Sequence, residues 1–185
     1  AEGEWWRVLT HPFVHLSWWH LLLDAGAFLL LWTGLEGMGF ASRWFAFFAC
    51  LAGSVGASLA AAPQVRELGL CGLSGTAHGL TAVYGLALLR AHGRRSFMGV
   101  VGLGCFASVA VKSAVEAWMG DVVLAPWHLG SIGTPIAVCH GGGVLGGTLA
   151  WLALLAAWRF RDSLAFDITE KPLRPHLAPV LRRAA

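Results

Sequence analysis

Ser74 stands in Gly72-Leu73-Ser74-Gly75 at the head of an apolar stretch, and His140 stands at the head of Gly141-Gly142-Gly143-Val144-Leu145-Gly146-Gly147. A serine hydroxyl is a poor nucleophile until a base takes its proton, and a neutral imidazole is the usual base. Alone, neither residue would mean much. Together, each framed by glycines in a strongly apolar chain, they suggest a hydrolase whose nucleophile lies below the surface of a membrane. Acyl transfer also needs donors aimed at the developing oxyanion. His11, His15, His20 and Asp24 supply candidates, and His20 and Asp24 are four apart, on one helix face. Ionisable groups at membrane depth are costly and are functional suspects by default.

These residues need a scaffold, and the composition says which. Of 185 residues, 57% are hydrophobic and 12% charged, with a mean hydropathy of +0.65. Soluble domains carry about 25% charged residues. A hydrocarbon core takes roughly 20 mostly apolar residues to cross. Five candidate spans fall at about 16–35, 42–62, 73–91, 97–119 and 135–158. Backbone in lipid must satisfy its own hydrogen bonds, so the spans are helices, and the fold class is an all-α polytopic membrane bundle. Breaks occur at Glu36–Gly39, Pro63–Glu67, His92–Arg95 and Asp121–Pro135. Residues 1–158 read as one transmembrane domain and 159–185 as a basic, Pro-rich tail. The chain begins at Ala1 without a signal peptide, and is expected to be a piece that has lost an upstream segment.

Orientation follows from Lys and Arg. The loops after the first and third spans, with the tail, hold Arg43, Arg90, Arg94, Arg95, Arg159, Arg161, Lys171, Arg174, Arg182 and Arg183. The opposite side holds Arg7 and Arg66. The tail is therefore expected in the cytoplasm. Ser74, at the start of the third span, and His140, near the start of the last, then share one depth on the extracytoplasmic side. The small-xxx-small pairs Gly75–Gly79 and Gly143–Gly147 let helix backbones approach closely, which can bring Ser74 and His140 within hydrogen-bond reach. Helix packing alone would also explain these glycines, were Ser74 and His140 absent.

The stretches HPFVHLSWWHLLLD, GLSGTAHG and CHGGGVLGG, in that order on successive helices, resemble the rhomboid family of intramembrane serine proteases. The resemblance covers nearly all of the chain from Trp5 to about Trp158. It implies Ser74 as nucleophile and His140 as general base, a dyad without a third acid. His20 and Asp24 match a His-x-x-x-Asn pair that helps form the oxyanion hole, with His15 matching a structural histidine and Gly72 and Gly75 supporting the site. A transmembrane segment before Ala1 is expected, because bacterial members commonly have six. Two positions depart from the pattern. Asp24 stands where the family has Asn, and an ionised Asp only accepts hydrogen bonds. His78 stands where many members have a Tyr stacked on the catalytic histidine. The Ser-Gly-x-x-His-Gly arrangement and the Glu4-Trp5-Trp6-Arg7 opening look more like the rhombosortase subfamily. That resemblance implies a membrane-anchored substrate with a carboxy-terminal sorting signal: a Gly-rich motif, a transmembrane helix and a basic cluster. It also implies a place in the bacterial inner membrane, with the site opening to the extracytoplasmic side.

Other readings stand beside this one. A rhomboid-like protein without proteolytic activity would bind transmembrane helices uncut; such relatives typically lose the serine or the histidine, and both are here. Lys112 and Glu116 are four apart and are expected to pair with each other facing the bundle. Cys71, Cys139, His78 and His140 could be zinc ligands, which would leave Ser74 and the glycine spacing unexplained, so no metal or other cofactor is expected. The four cysteines read as small buried hydrophobes. His128 reads as a solvated loop residue, and Trp5, Trp6, Trp18 and Trp19 as an interfacial aromatic belt. The partners expected are the lipid bilayer and a membrane-anchored protein; a net charge of +3 calls for no nucleic acid.

Overall fold

The computed structural model describes residues 6–61, 63, 65, 69–123 and 136–170, the last nine of these by backbone alone. His128, Trp5, Arg66 and the tail beyond Glu170 lie outside the described residues. By compactness the chain falls into two units, Ala1–Trp151 and Leu152–Ala185; the elements that position the site belong to the first. The order is α1 (Trp6–Thr10), a 3-10 turn (His11–Phe13), α2 (Trp18–Gly34), a second 3-10 turn (Glu36–Met38), α3 (Phe40–Ala60), α4 (Ser74–His92), α5 (Phe97–Met119) and α6 (Val138–Glu170). Among the described residues there is no strand. Local chemistry sets several ends. Ser17 and Ser96 cap α2 and α5 by accepting from the His20 and Gly99 N–H groups, at 3.1 and 2.9 Å. Gly120, in the left-handed conformation, closes α5.

Five helices occupy the five predicted spans. Three are long and apolar enough to cross a membrane by length and composition: Phe40–Ala60, Phe97–Met119 and Val138–Arg161. The Trp6–Phe13 segment and α2 pass that test together, bent by 92°. The remaining helix, α4, falls short for a physical reason. It is the central helix, packed against α2, α3 and α5, with Gly75, Thr76, Ala77, Gly79, Leu80, Ala82, Val83 and Gly85 all buried. A helix that meets protein rather than lipid has no need to be apolar all round. Lipid-compatible surface lies instead on the outer faces of its neighbours, where Leu30, Phe40, Phe48, Phe97, Val111 and Trp118 are exposed. The last helix runs to Glu170, past the expected boundary at 158.

Glycines bring α4, α3 and α6 together. A methyl group at Gly143 would run into the Gly75 carbonyl, and one at Gly147 into the Gly79 carbonyl and Cys50 Sγ. Likewise Gly142 meets the Gly53 carbonyl, and Gly146 the Ala49 carbonyl, both on α3. These contacts are between backbones, so no side chain can turn aside to make room. Gly143→Ala should therefore destabilise the fold by about 1–3 kcal/mol or more, the range for overpacking. Gly104→Ala meets nothing within 4 Å and should be neutral or gain up to about 1 kcal/mol of helix propensity. Thermal unfolding of the two variants in detergent checks the contrast.

Candidate active site

Ser74 is the first residue of α4, and the chain enters it through Gly72 at φ +81°, a conformation that L side chains rarely adopt. Gly72 is also hemmed in: a Cβ there would lie 2.7 Å from both Asp24 Oδ2 and His20 Nε2. Its N–H is shared between the carbonyls of His11 (3.1 Å) and Val14 (2.9 Å). The next N–H, of Leu73, donates to Asp24 Oδ2 at 2.6 Å. Two segments thus pin the turn that presents Ser74.

From α6, His140 reaches Ser74. Its Nε2 lies 3.1 Å from Ser74 Oγ, and the ring is buried. On its other side, His140 Nδ1 lies 2.7 Å from Glu116 Oε2 on α5. Glu116 is fully buried. Its second oxygen, Oε1, accepts from Lys112 Nζ at 2.5 Å and from the Val123 N–H at 3.0 Å. Lys112 Nζ is in turn 2.9 Å from His78 Nε2, while His78 Nδ1 is 2.7 Å from the Ser74 carbonyl. The His78 and His140 rings stack at 3.9 Å with 8° between their planes. These partners assign both histidines as Nδ1–H tautomers: His78 donates to Ser74 O and accepts from Lys112, and His140 donates to Glu116. The His140 Nε2 lone pair is left facing the Ser74 hydroxyl, as a general base requires.

His15, His20 and Asp24, expected from the sequence to support the site, gather on the other flank. Asp24 Oδ2 lies 3.3 Å from His15 Nε2 and 3.4 Å from His20 Nε2, and the His15 and His20 rings meet edge to face at 4.9 Å. Asp24 is used here as an acceptor for the Leu73 N–H, so the carboxylate holds the turn before Ser74. His11 Nδ1 donates to the Val8 carbonyl, 2.8 Å away.

Two groups could take a metal ion by proximity: His15, His20 and Asp24, and His78, Glu116 and His140. In the second group the Lys112 ammonium already stands between Glu116 and His78, where a cation would sit. In the first, the carboxylate oxygen nearest both rings accepts from Leu73. The four cysteines are free thiols.

The expected pairing of Lys112 with Glu116 is present, and its extension to His140 was missed. A signal existed. Glu116 sits one turn from the end of α5, at the depth of His140 in the first turn of α6. Moreover, Lys preceding Glu by four residues is the poorer order for helix stability, which leaves that pair without a purely local reason.

The apolar helices mark an integral membrane protein, in which a serine, a histidine and a carboxylate meet at the head of α4. A family model, the Rhomboid domain, matches residues 2–157. The chain belongs to the rhomboid family, a family of intramembrane serine proteases with inactive members. No curated protein and no solved structure gives a significant match.

Asp24→Ala leaves the part-buried Leu73 N–H without its acceptor and should cost about 1–3 kcal/mol. Asp24→Asn keeps an acceptor and should stay closer to the native stability. Thermal unfolding ranks the three proteins; equal melting of Asp24→Ala and the native chain would remove Asp24 from the turn's support.

Proposed function

We propose that this chain is an active intramembrane serine endopeptidase in which Ser74 is the nucleophile and His140 the general base. The observation that carries the reading is the 3.1 Å approach of His140 Nε2 to Ser74 Oγ at the start of a buried helix. In the proposed reaction the Ser74 O–H bond breaks as Oγ bonds to the scissile carbonyl carbon, and the proton passes to His140 Nε2. The first N–H groups of a helix lack partners within it. With Leu73 N–H held by Asp24, those of Ser74 and Gly75 are the donors closest to the developing oxyanion. His140 then gives its proton to the leaving amine, and water releases the acyl group by the same route in reverse.

Features of the sequence and site favour the rhombosortase type. His78 occupies the stacking position on His140, within Ser-Gly-x-x-His-Gly. The substrate proposed is a membrane-anchored protein with a Gly-rich motif before its transmembrane helix and a basic cluster after it. A scissile peptide must leave its helix to reach Ser74, and Gly lowers that cost by about 1 kcal/mol per residue relative to Ala. Ten Lys and Arg on one side against two on the other favour a site facing the extracytoplasmic side, and the rhombosortase reading adds a bacterial inner membrane location.

Ser74→Ala and His140→Ala should each abolish release of a tagged substrate from cells while the protein stays inserted and folded. Replacing a Gly-Gly pair before the substrate helix by Leu-Leu should strongly reduce release. Cleavage by a correctly inserted Ser74→Ala protein sinks the nucleophile; undiminished release of the Leu-Leu substrate leaves a general rhomboid protease instead of a sorting peptidase.

A further inference from the structure

We propose that Glu116 is a positioning residue that turns the Ser74–His140 dyad into a Ser–His–Glu triad, with Lys112 holding the carboxylate in place. The inference rests on the proposed reading of Ser74 and His140 and goes beyond it, because the resemblance implies no third acid. Glu116 uses its two oxygens differently. Oε1 takes Lys112 Nζ and the Val123 N–H, which ties the end of α5 to the chain that follows it. Oε2 is aimed at His140 Nδ1, 2.7 Å away. A glutamate needed only to tie down Val123 would have no reason to reach another helix with its second oxygen.

The chemistry explains the second contact. A general-base histidine must carry its neutral proton on Nδ1 to leave the Nε2 lone pair for serine, and an acceptor at Nδ1 fixes that tautomer. When His140 takes the Ser74 proton it becomes a cation inside a bundle, where charge is poorly solvated. A carboxylate at 2.7 Å compensates that charge, and attraction at low dielectric is stronger than in water. Glu116 takes no proton in this step; the O–H bond of Ser74 breaks and the N–H bond forms on His140. Lys112, one turn earlier on α5, supplies the counter-charge that lets Glu116 be ionised while fully buried. Its contact with His78 Nε2 links the carboxylate to the ring stacked on His140, so both faces of the site share one cation.

The test uses the full chain in detergent with a fluorophosphonate probe, which reports Ser74 reactivity without a substrate, and a cleavable transmembrane peptide, which gives kcat and KM. The native chain should label at Ser74 and Ser74→Ala should not; failure there overturns the dyad itself. Given labelling, Glu116→Gln should slow it and lower kcat at unchanged KM, by up to about 10⁴-fold as for the amide replacement of a triad aspartate. Labelling and kcat at the native level in folded Glu116→Gln overturn the positioning role. Glu116→Asp keeps the charge for Lys112 and withdraws one methylene from His140, so it should fold even if Glu116→Gln does not. It too should lose kcat and keep KM. Native kcat in Glu116→Asp, or a rise in KM alone, overturns the proposal.

Discussion

Contact between bare backbones of α4 and α6 is the constraint on which the site depends. At Gly75–Gly143 and Gly79–Gly147 the two helices come closer than any side chain would permit. Apolar burial does not drive association between helices in lipid, because the tails are as apolar as leucine; close packing and interhelical hydrogen bonds do. The same closeness sets the reach of chemistry. Ser74 directly precedes Gly75, and His140 lies one turn before Gly143. The contact that joins the helices therefore also fixes the separation of hydroxyl and imidazole. Gly142 and Gly146 against α3 brace the arrangement from the side, so the position of α6 is set twice.

Polar atoms within such a bundle need partners in the protein itself. Here they form a closed circuit. The Ser74 carbonyl accepts from His78, His78 accepts from Lys112, Lys112 donates to Glu116, Glu116 accepts from His140, and His140 faces the Ser74 hydroxyl. The circuit begins and ends on one residue, at its carbonyl and its hydroxyl. Every member after Ser74 gains a defined orientation from the next, which suits groups whose charge would otherwise be expensive. The His78–His140 stack adds a contact that needs no further polar atom. A group on one side of the loop cannot rotate without breaking a bond on the other.

Much of this was legible beforehand, and the reasons differ by element. Long apolar runs gave α3 and α5 nearly to the residue, because lipid-facing helices advertise themselves by hydropathy. The central helix α4 was legible through its glycines and the motif around Ser74, since a helix surrounded by protein carries little hydropathy signal. Charge counting placed Ser74 and His140 at one depth, and the described helices do put both at one end of the bundle. Glu116 was half read: its partner on the same helix is fixed by periodicity, whereas its partner on α6 depends on how two helices rotate about their axes, which spacing does not encode. The continuation of α6 to Glu170 was missed because the boundary was drawn where apolarity stops, and helices can outlast the apolar zone.

Asp24 illustrates how a departure from a family pattern can keep a position's geometry while changing its chemistry. An asparagine there could donate and accept; an ionised aspartate only accepts. The structure uses the accepting half. Asp24 Oδ2 takes the Leu73 N–H and lies within 3.4 Å of His20 Nε2, so it bears on the turn from one side while Gly72 is held by the His11 and Val14 carbonyls from the other. In the proposed reaction, donation to an oxyanion would then fall to the backbone at the head of α4 and to the histidines beside it. A carboxylate near that position would be unfavourable if it faced the developing charge. Engaged with Leu73 and flanked by two imidazoles, Asp24 is directed at the turn and holds Leu73 where the next two N–H groups open the helix.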